Sequence, residues 1–128
     1  MVLTPWFGGE LWVHADEYSL EDVVTHVLRN AERYREAGTP ITPITLSLLP
    51  DDGNAVLSIH NRGPAIPEDQ LERIFEYGVS DTPTSNGERR GQGLFVARSY
   101  LAKMDGVIKA VNVNGGVRFE ISLPRERV

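Results

Sequence analysis

Apolar positions recur along the chain in two rhythms. From Leu20, the residues Val23, Val24, Val27, Leu28, Ala31 and Tyr34 repeat at helical spacing. At about 100° per residue they fill one arc of a helix. Ser19 with Asp22 makes an S-x-x-D start, and Gly38 with Pro40 ends the helix after Ala37. Elsewhere the period is two. Glu10 to His14 reads as a short strand. Ile44, Leu46 and Leu48 alternate, "PDDGN" turns the chain, and Ala55 to His60 forms a further strand. Pro67 opens a short helix carrying Leu71, Ile74 and Phe75. The segment Val79 to Arg90, "VSDTPTSNGERR", is polar and turn-forming, which predicts a mobile loop. Gly93 to Met104 is helical and Gly106 caps it. "VIKAVNVNGGVRFEISLP" predicts a hairpin turned on Asn114-Gly115-Gly116. The order strand, helix, hairpin, helix, loop, helix, hairpin predicts helices packed on one face of a mixed sheet.

Composition narrows the function classes. The 128 residues suit one domain with one core. A net charge of -5 and a pI of 5.1 argue against nucleic acid as a partner, which calls for a basic surface. The chain has no cysteine, hence no disulfide framework and no thiolate zinc site. No apolar run approaches the roughly 18 residues of a membrane span, and the N-terminus lacks the basic start and apolar core of a signal peptide. The expectation is a cytoplasmic domain that is monomeric in isolation and makes no membrane contact.

Two segments carry candidate chemistry. On the first helix His26, Asn30 and Arg33 lie together at one margin of the apolar arc. Such a stripe is an ordinary helix boundary or the wall of a cleft. The segment "RRGQGLFVARSYL" places Gly91 and Gly93 just before a helix. Free N–H groups at a helix start hold phosphate oxygens, and Arg89 and Arg90 add charge-assisted contacts.

Taken in order, the segments resemble the catalytic, ATP-binding domain of bacterial sensor histidine kinases, within the gyrase, Hsp90, kinase and MutL ATPase superfamily. "HVLRNAERY" looks like the Asn box, "NRGPAIP" like the first glycine box, "ERIFEYG" like the Phe box and "GERRGQGL" like the second glycine box. The tail "GGVRFEISLP" is similar to the final strand pair, and the likeness covers Glu10 to Pro124. It implies a two-layer α/β sandwich, a mixed sheet of about five strands with about three helices on one face. It also implies an adenine pocket between helices and sheet, closed by a lid at residues 79–90.

The resemblance assigns roles to residues. Asn30 would ligate Mg²⁺ on the triphosphate of ATP, a hard cation suited to an amide oxygen. Arg33 would contact phosphate. Tyr34 would line the nucleotide site, beside which core packing fits it as well. Asn61 would accept from the adenine amino group, Gly63 would let the backbone approach the base, and Ile66 would pack on the purine face. Arg90, Gly91, Gln92, Gly93 and Leu94 would form the phosphate-binding start of the last helix. His14 and His60 have no role beyond their strands. Pro64 and Pro67 bias Gly63 and Ile66 to extended backbone, which stiffens the pocket floor.

Departures from the family pattern bear on affinity and selectivity more than on fold. Asn61 stands for the usual Asp, which forgoes charge assistance worth about 1 kcal/mol. Ala65 replaces a Gly, at a strain of roughly 1–2 kcal/mol if φ is positive there. His26 stands where these kinases carry another Asn, Phe95 at a further Gly position, and Val117 where a small hydroxyl residue is usual. Hydrolysing branches of the superfamily place a Glu at the position of His26 to activate water. Its replacement points to the kinase branch, in which the γ-phosphoryl group of ATP passes to a histidine on a separate dimerisation domain, with a response regulator downstream. Only 18 residues precede Ser19, which predicts a catalytic domain, residues 1–128, taken from a larger sensor kinase that can be membrane-anchored. Two alternatives stay open. One is a degenerate nucleotide-binding module or pseudokinase. The other is a serine kinase of the anti-sigma-factor type, for which Glu32 and Glu36 are the candidate bases.

Overall fold

The alternation of Ala55, Leu57 and Ile59 becomes one face of a sheet that two helices cover. The computed structural model describes residues 2–3, 11–34, 44–76 and 92–126. Its elements in chain order are β1 (Val2–Leu3), β2 (Leu11–Trp12), α1 (Glu17–Tyr34), β3 (Thr45–Asp51), β4 (Asn54–Arg62), 3₁₀ turns at Glu68–Gln70 and Arg73–Phe75, α2 (Gln92–Ala102), β5 (Val107–Val113) and β6 (Gly116–Pro124). Among the described residues no helix is long and apolar enough to cross a membrane.

The expected α/β sandwich is present, with a different sheet. Among the described residues it has four strands in the order β3-β4-β6-β5, and every neighbouring pair is antiparallel. The expectation of a mixed sheet of five fails at residues 10–14. There β2 is two residues long and pairs with β1 in a sheet of its own. Its tie to the main sheet is the bridge between Val13 and Arg125, with Glu126 N–H donating to Trp12 C=O at 2.6 Å. The short helix expected after Pro67 takes the form of the two 3₁₀ turns.

Both hairpins follow from their turn residues. Asp52, with φ 52°, lets β3 turn into β4, a left-handed conformation that Asp tolerates. The second turn is made on Asn114 and Gly115, the glycine at φ 83°, whereas Gly116 already belongs to β6. A Cβ on Gly116 would run into the backbone oxygen of Asn61, so close strand approach requires the glycine.

One face of the sheet and one face of each helix share the core. Val23, Val27 and Ala31 of α1 and Leu94, Ala97 and Leu101 of α2 are fully buried against Ile59, Val117, Phe119 and Ile121. Their spacing is that of a single helical face. Ile74 and Phe75 are buried too, and the Phe75 ring meets Phe119 edge-on, with centroids 6.5 Å apart. On the opposite face of the sheet Glu120 is reached by Arg118 at 3.1 Å and Lys109 at 3.9 Å.

Helix ends differ from expectation in instructive ways. The N-cap of α1 is Asp16, not Ser19. Its carboxylate accepts from the Ser19 N–H at 3.2 Å and from the Ser19 hydroxyl at 2.5 Å. Beyond α2 the left-handed residue is Asp105, φ 58°, not Gly106. Gly106 N–H donates to Leu101 C=O at 2.7 Å and Asp105 N–H to Ala102 C=O at 3.2 Å, the bond pair of a Schellman motif. Gly106 is a glycine for want of room: a Cβ there would lie 2.8 Å from Leu123 Cδ2 and 3.0 Å from Ser122 O.

Candidate functional site

Asn30 sits in line with the apolar residues of α1, three positions beyond Val27, and is 6 % exposed. The expectation of a residue at the helix margin is therefore corrected: Asn30 is inside the interface that α1 forms with its neighbours. Its amide nitrogen donates to the His26 carbonyl at 3.0 Å, one turn back. That bond uses the Nδ2 end and leaves Oδ1 buried with no partner. His26 itself is half-buried. Its Nδ1 lies 3.2 Å from where a Cβ on Gly93 would be, so the first turn of α2 approaches α1 at the place where Gly93 has no side chain. The structure thus brings the Asn-box segment and the second glycine segment together. Leu94, expected at the phosphate site, is fully buried in the core, so its backbone is what it can offer a ligand.

Asn61 occupies the last inward position of β4, following Ala55, Leu57 and Ile59, and is fully buried. Neither its Nδ2 nor its Oδ1 has a hydrogen-bond partner. A buried amide left so costs about 1–3 kcal/mol. Three amide atoms, one on Asn30 and two on Asn61, are therefore buried and unpartnered at the two positions assigned to metal and adenine. An amide oxygen suits Mg²⁺, and an amide that can both donate and accept suits the edge of an adenine ring. The residues present fit Mg-ATP.

The loop after β4 folds back over the sheet. Gly63 N–H donates to Gly115 C=O at 3.1 Å. Ala65 is exposed and does not take a positive φ, which among the described non-glycine residues is found at Asp52 and Asp105, so the strain conceived for it does not arise. Ile66 is 4 % exposed. Its backbone is held at both ends by Asn112 of β5: Ile66 N–H donates to Oδ1 at 2.9 Å, and Nδ2 donates to Ile66 C=O at 2.7 Å. Sequence reasoning gave Asn112 no role. The available signal was an Asn at the inward position that follows Ile108 and Ala110, where the alternation asks for an apolar residue.

Several expected site residues lie outside the described residues. They are Arg90 and Gly91, the side chains of Arg33, Tyr34 and Gln92, and the proposed lid from 79 to 90. An apolar groove lined by Leu20, Val24, Leu48, Leu57 and Leu123 runs along the first half of α1, away from Asn30 and Asn61.

Comparison with known proteins identifies the family. Residues 15–127 match the family described as histidine kinase-, DNA gyrase B-, and HSP90-like ATPase. The adaptive-response sensory kinase SasA of Microcystis aeruginosa is 36 % identical over 114 residues, which is 88 % of this chain and 29 % of that protein. Among solved structures, the mycobacterial sensor histidine kinase MprB superposes with a TM-score of 0.73 at 26 % identity, over 91 % of this chain and 76 % of that one. Full-length ShkA in complex with AMPPNP gives a TM-score of 0.72 at 27 % identity, over 91 % of this chain and 23 % of that one. The chain spans between 20 % and 29 % of the length of the first four curated relatives it matches. With residues 15–127 matched by that family, the chain belongs to the histidine kinase-, DNA gyrase B- and HSP90-like ATPase family.

Proposed function

We propose that the chain binds Mg-ATP between α1, α2 and the Gly63–Ile66 loop and serves as the catalytic part of a sensor histidine kinase. The observation that carries this reading is the set of three buried, unpartnered amide atoms on Asn30 and Asn61. Proteins rarely bury such groups without a ligand or water to meet them. Asn30 Oδ1 would hold the metal and Asn61 would meet the adenine edge. Gly93 lets α2 begin close to α1, where its first N–H groups would receive phosphate oxygens.

Bound Mg-ATP supplies the γ-phosphoryl group for transfer to a histidine on a separate dimerisation domain, with a response regulator downstream. This chain's part is to bind, orient and neutralise. His26 stands where hydrolysing relatives carry a Glu base, and its backbone carbonyl accepts from Asn30, so it helps to hold the metal ligand in place. The test is a titration of the chain with ATP, with and without Mg²⁺, followed by addition of a histidine-bearing dimerisation domain. Mg²⁺-dependent binding and a phosphorylated histidine are expected. Binding without transfer to any such domain would favour a nucleotide-binding module without kinase activity, and no binding would overturn the proposal.

A further inference from the structure

We infer that Asn112 is a positioning residue for the nucleotide base, acting through the backbone of Ile66. The inference rests on the proposed nucleotide site and assigns it a residue on β5, the strand at the far edge of the sheet from β3.

The contact has a definite chemistry. One side-chain amide meets both backbone groups of one residue, accepting from its N–H at 2.9 Å and donating to its C=O at 2.7 Å. These are the two bonds a neighbouring strand residue would have made. Asn112 therefore stands in for a fifth strand over a single residue. Apart from the packing of the Ile66 side chain in the core, the segment's backbone has few other ties among the described residues. Pro64 and Pro67 have no N–H to donate. Among the described residues the remaining backbone ties lie at its ends, Gly63 N–H to Gly115 C=O and Gln70 N–H to Pro67 C=O. With Ile66 fastened, its side chain is turned inward, next to the level at which Asn61 lies buried. The amide orientation is set by its partners, since only Oδ1 can accept from the N–H and only Nδ2 can donate to the C=O.

Asparagine is the side chain that does this at this reach. Aspartate has no donor for the Ile66 carbonyl and would set an anion against it. Serine reaches one of the two groups, and an apolar residue neither. A loop left with one tie samples more conformations, and a nucleotide must then restore the ordered one on binding, which lowers apparent affinity.

The experiment is a double-mutant cycle on Mg-ATP binding by calorimetry, with Asn112→Asp and Ile66→Ala singly and together, and urea unfolding of each protein to confirm that it folds. Asn112→Asp alone is expected to weaken Mg-ATP about tenfold, the loss of one hydrogen bond with repulsion added. In the Ile66→Ala background its effect is expected to shrink to about twofold, because the side chain that the tie positions is gone. Hydrogen exchange at the Ile66 amide of nucleotide-free Asn112→Leu, which removes the acceptor, reads the tie independently and is expected to be faster than in the parent. If Asn112→Asp does not fold, Asn112→Ser replaces it in the same cycle. Unchanged affinity, or an equal loss in both backgrounds as a merely structural residue would give, overturns the role of Asn112 and leaves the proposed function standing. A parent protein that binds no Mg-ATP overturns both.

Discussion

Asn61 and Asn112 stand on one rung of the sheet, two strands apart, with the fully buried Val117 between them. The same side-chain type meets opposite fates on that rung. The amide of Asn112 is spent on the backbone of Ile66, whereas that of Asn61 is spent on nothing. On the proposed function, one would build the floor of the site and the other would keep its donors and acceptor for a ligand.

An unspent amide costs the nucleotide-free protein stability, and its removal is expected to return it. Asn61→Leu, which keeps the branched shape, is expected to raise the unfolding free energy in urea by about 1 kcal/mol while weakening ATP binding. Asn61→Asp is expected to do the reverse. It places a buried carboxylate without a partner and lowers stability, yet it sharpens the preference for ATP over GTP, because a carboxylate only accepts. Titration of both nucleotides against the three proteins checks this. A parent protein already as selective as Asn61→Asp would show that Asn61 does not meet the base edge.

Neighbouring residues at the end of α2 are expected to respond with opposite sign. Asp105 is left-handed without being glycine, so Asp105→Gly is expected to stabilise by about 1 kcal/mol. Gly106 has no space beside Leu123 and Ser122, so Gly106→Ala is expected to destabilise by about 1–3 kcal/mol. Gly53, where a Cβ would meet nothing within 4 Å, is the control, and Gly53→Ala is expected to be near neutral. Thermal unfolding of the three variants measures the contrast.

Acid is expected to loosen the start of α1. The Ser19 hydroxyl, helped by the Ser19 and Tyr18 backbone N–H groups, holds the Asp16 carboxyl below the usual carboxylate range against the opposing effect of desolvation. A lowered folded-state pKa contributes stability that is fully present above the ordinary carboxylate value and is lost as pH falls through the lowered one. The stability of the parent protein should therefore fall more steeply in that acid window than that of Asp16→Asn, which caps without titrating. Parallel pH profiles from urea unfolding would show that the cap carboxylate carries no such linkage.

Much of the architecture is legible in the spacing of apolar residues. The arc through Val23, Val27 and Ala31 and the alternation of Ala55, Leu57 and Ile59 are where the core lies, because burial selects both patterns. The sheet's direction was less legible. Residues 10–14 have strand-like composition, but which edge a short strand joins depends on its partners, here Val2–Leu3 nearby and Arg125 far along the chain. Turn chemistry misled where two causes select glycine. Gly106 and Gly116 answer close approach, and the positive φ next to each falls on Asp105 and Gly115. At the site, Asn30 and Asn61 stand out in sequence because motif and periodicity coincide there. Asn112 was hidden because its partner is a backbone 46 residues away, and the break it makes in the alternation after Ile108 and Ala110 does not say what it meets.

Whether Asn30 is a metal ligand is decided by calorimetric titration of Mg-ATP into the parent chain and into Asn30→Ala. Asn30 is buried, but its Oδ1 has no partner, so its loss removes an unsatisfied acceptor and the variant is expected to fold. The parent is expected to bind ATP more tightly with Mg²⁺ than without it. Asn30→Ala is expected to lose that increment, a fall of at least about tenfold, while its ATP binding without the metal stays near that of the parent. An Asn30→Ala variant that keeps the full Mg²⁺-dependent affinity would contradict the assignment of the buried amides to the nucleotide.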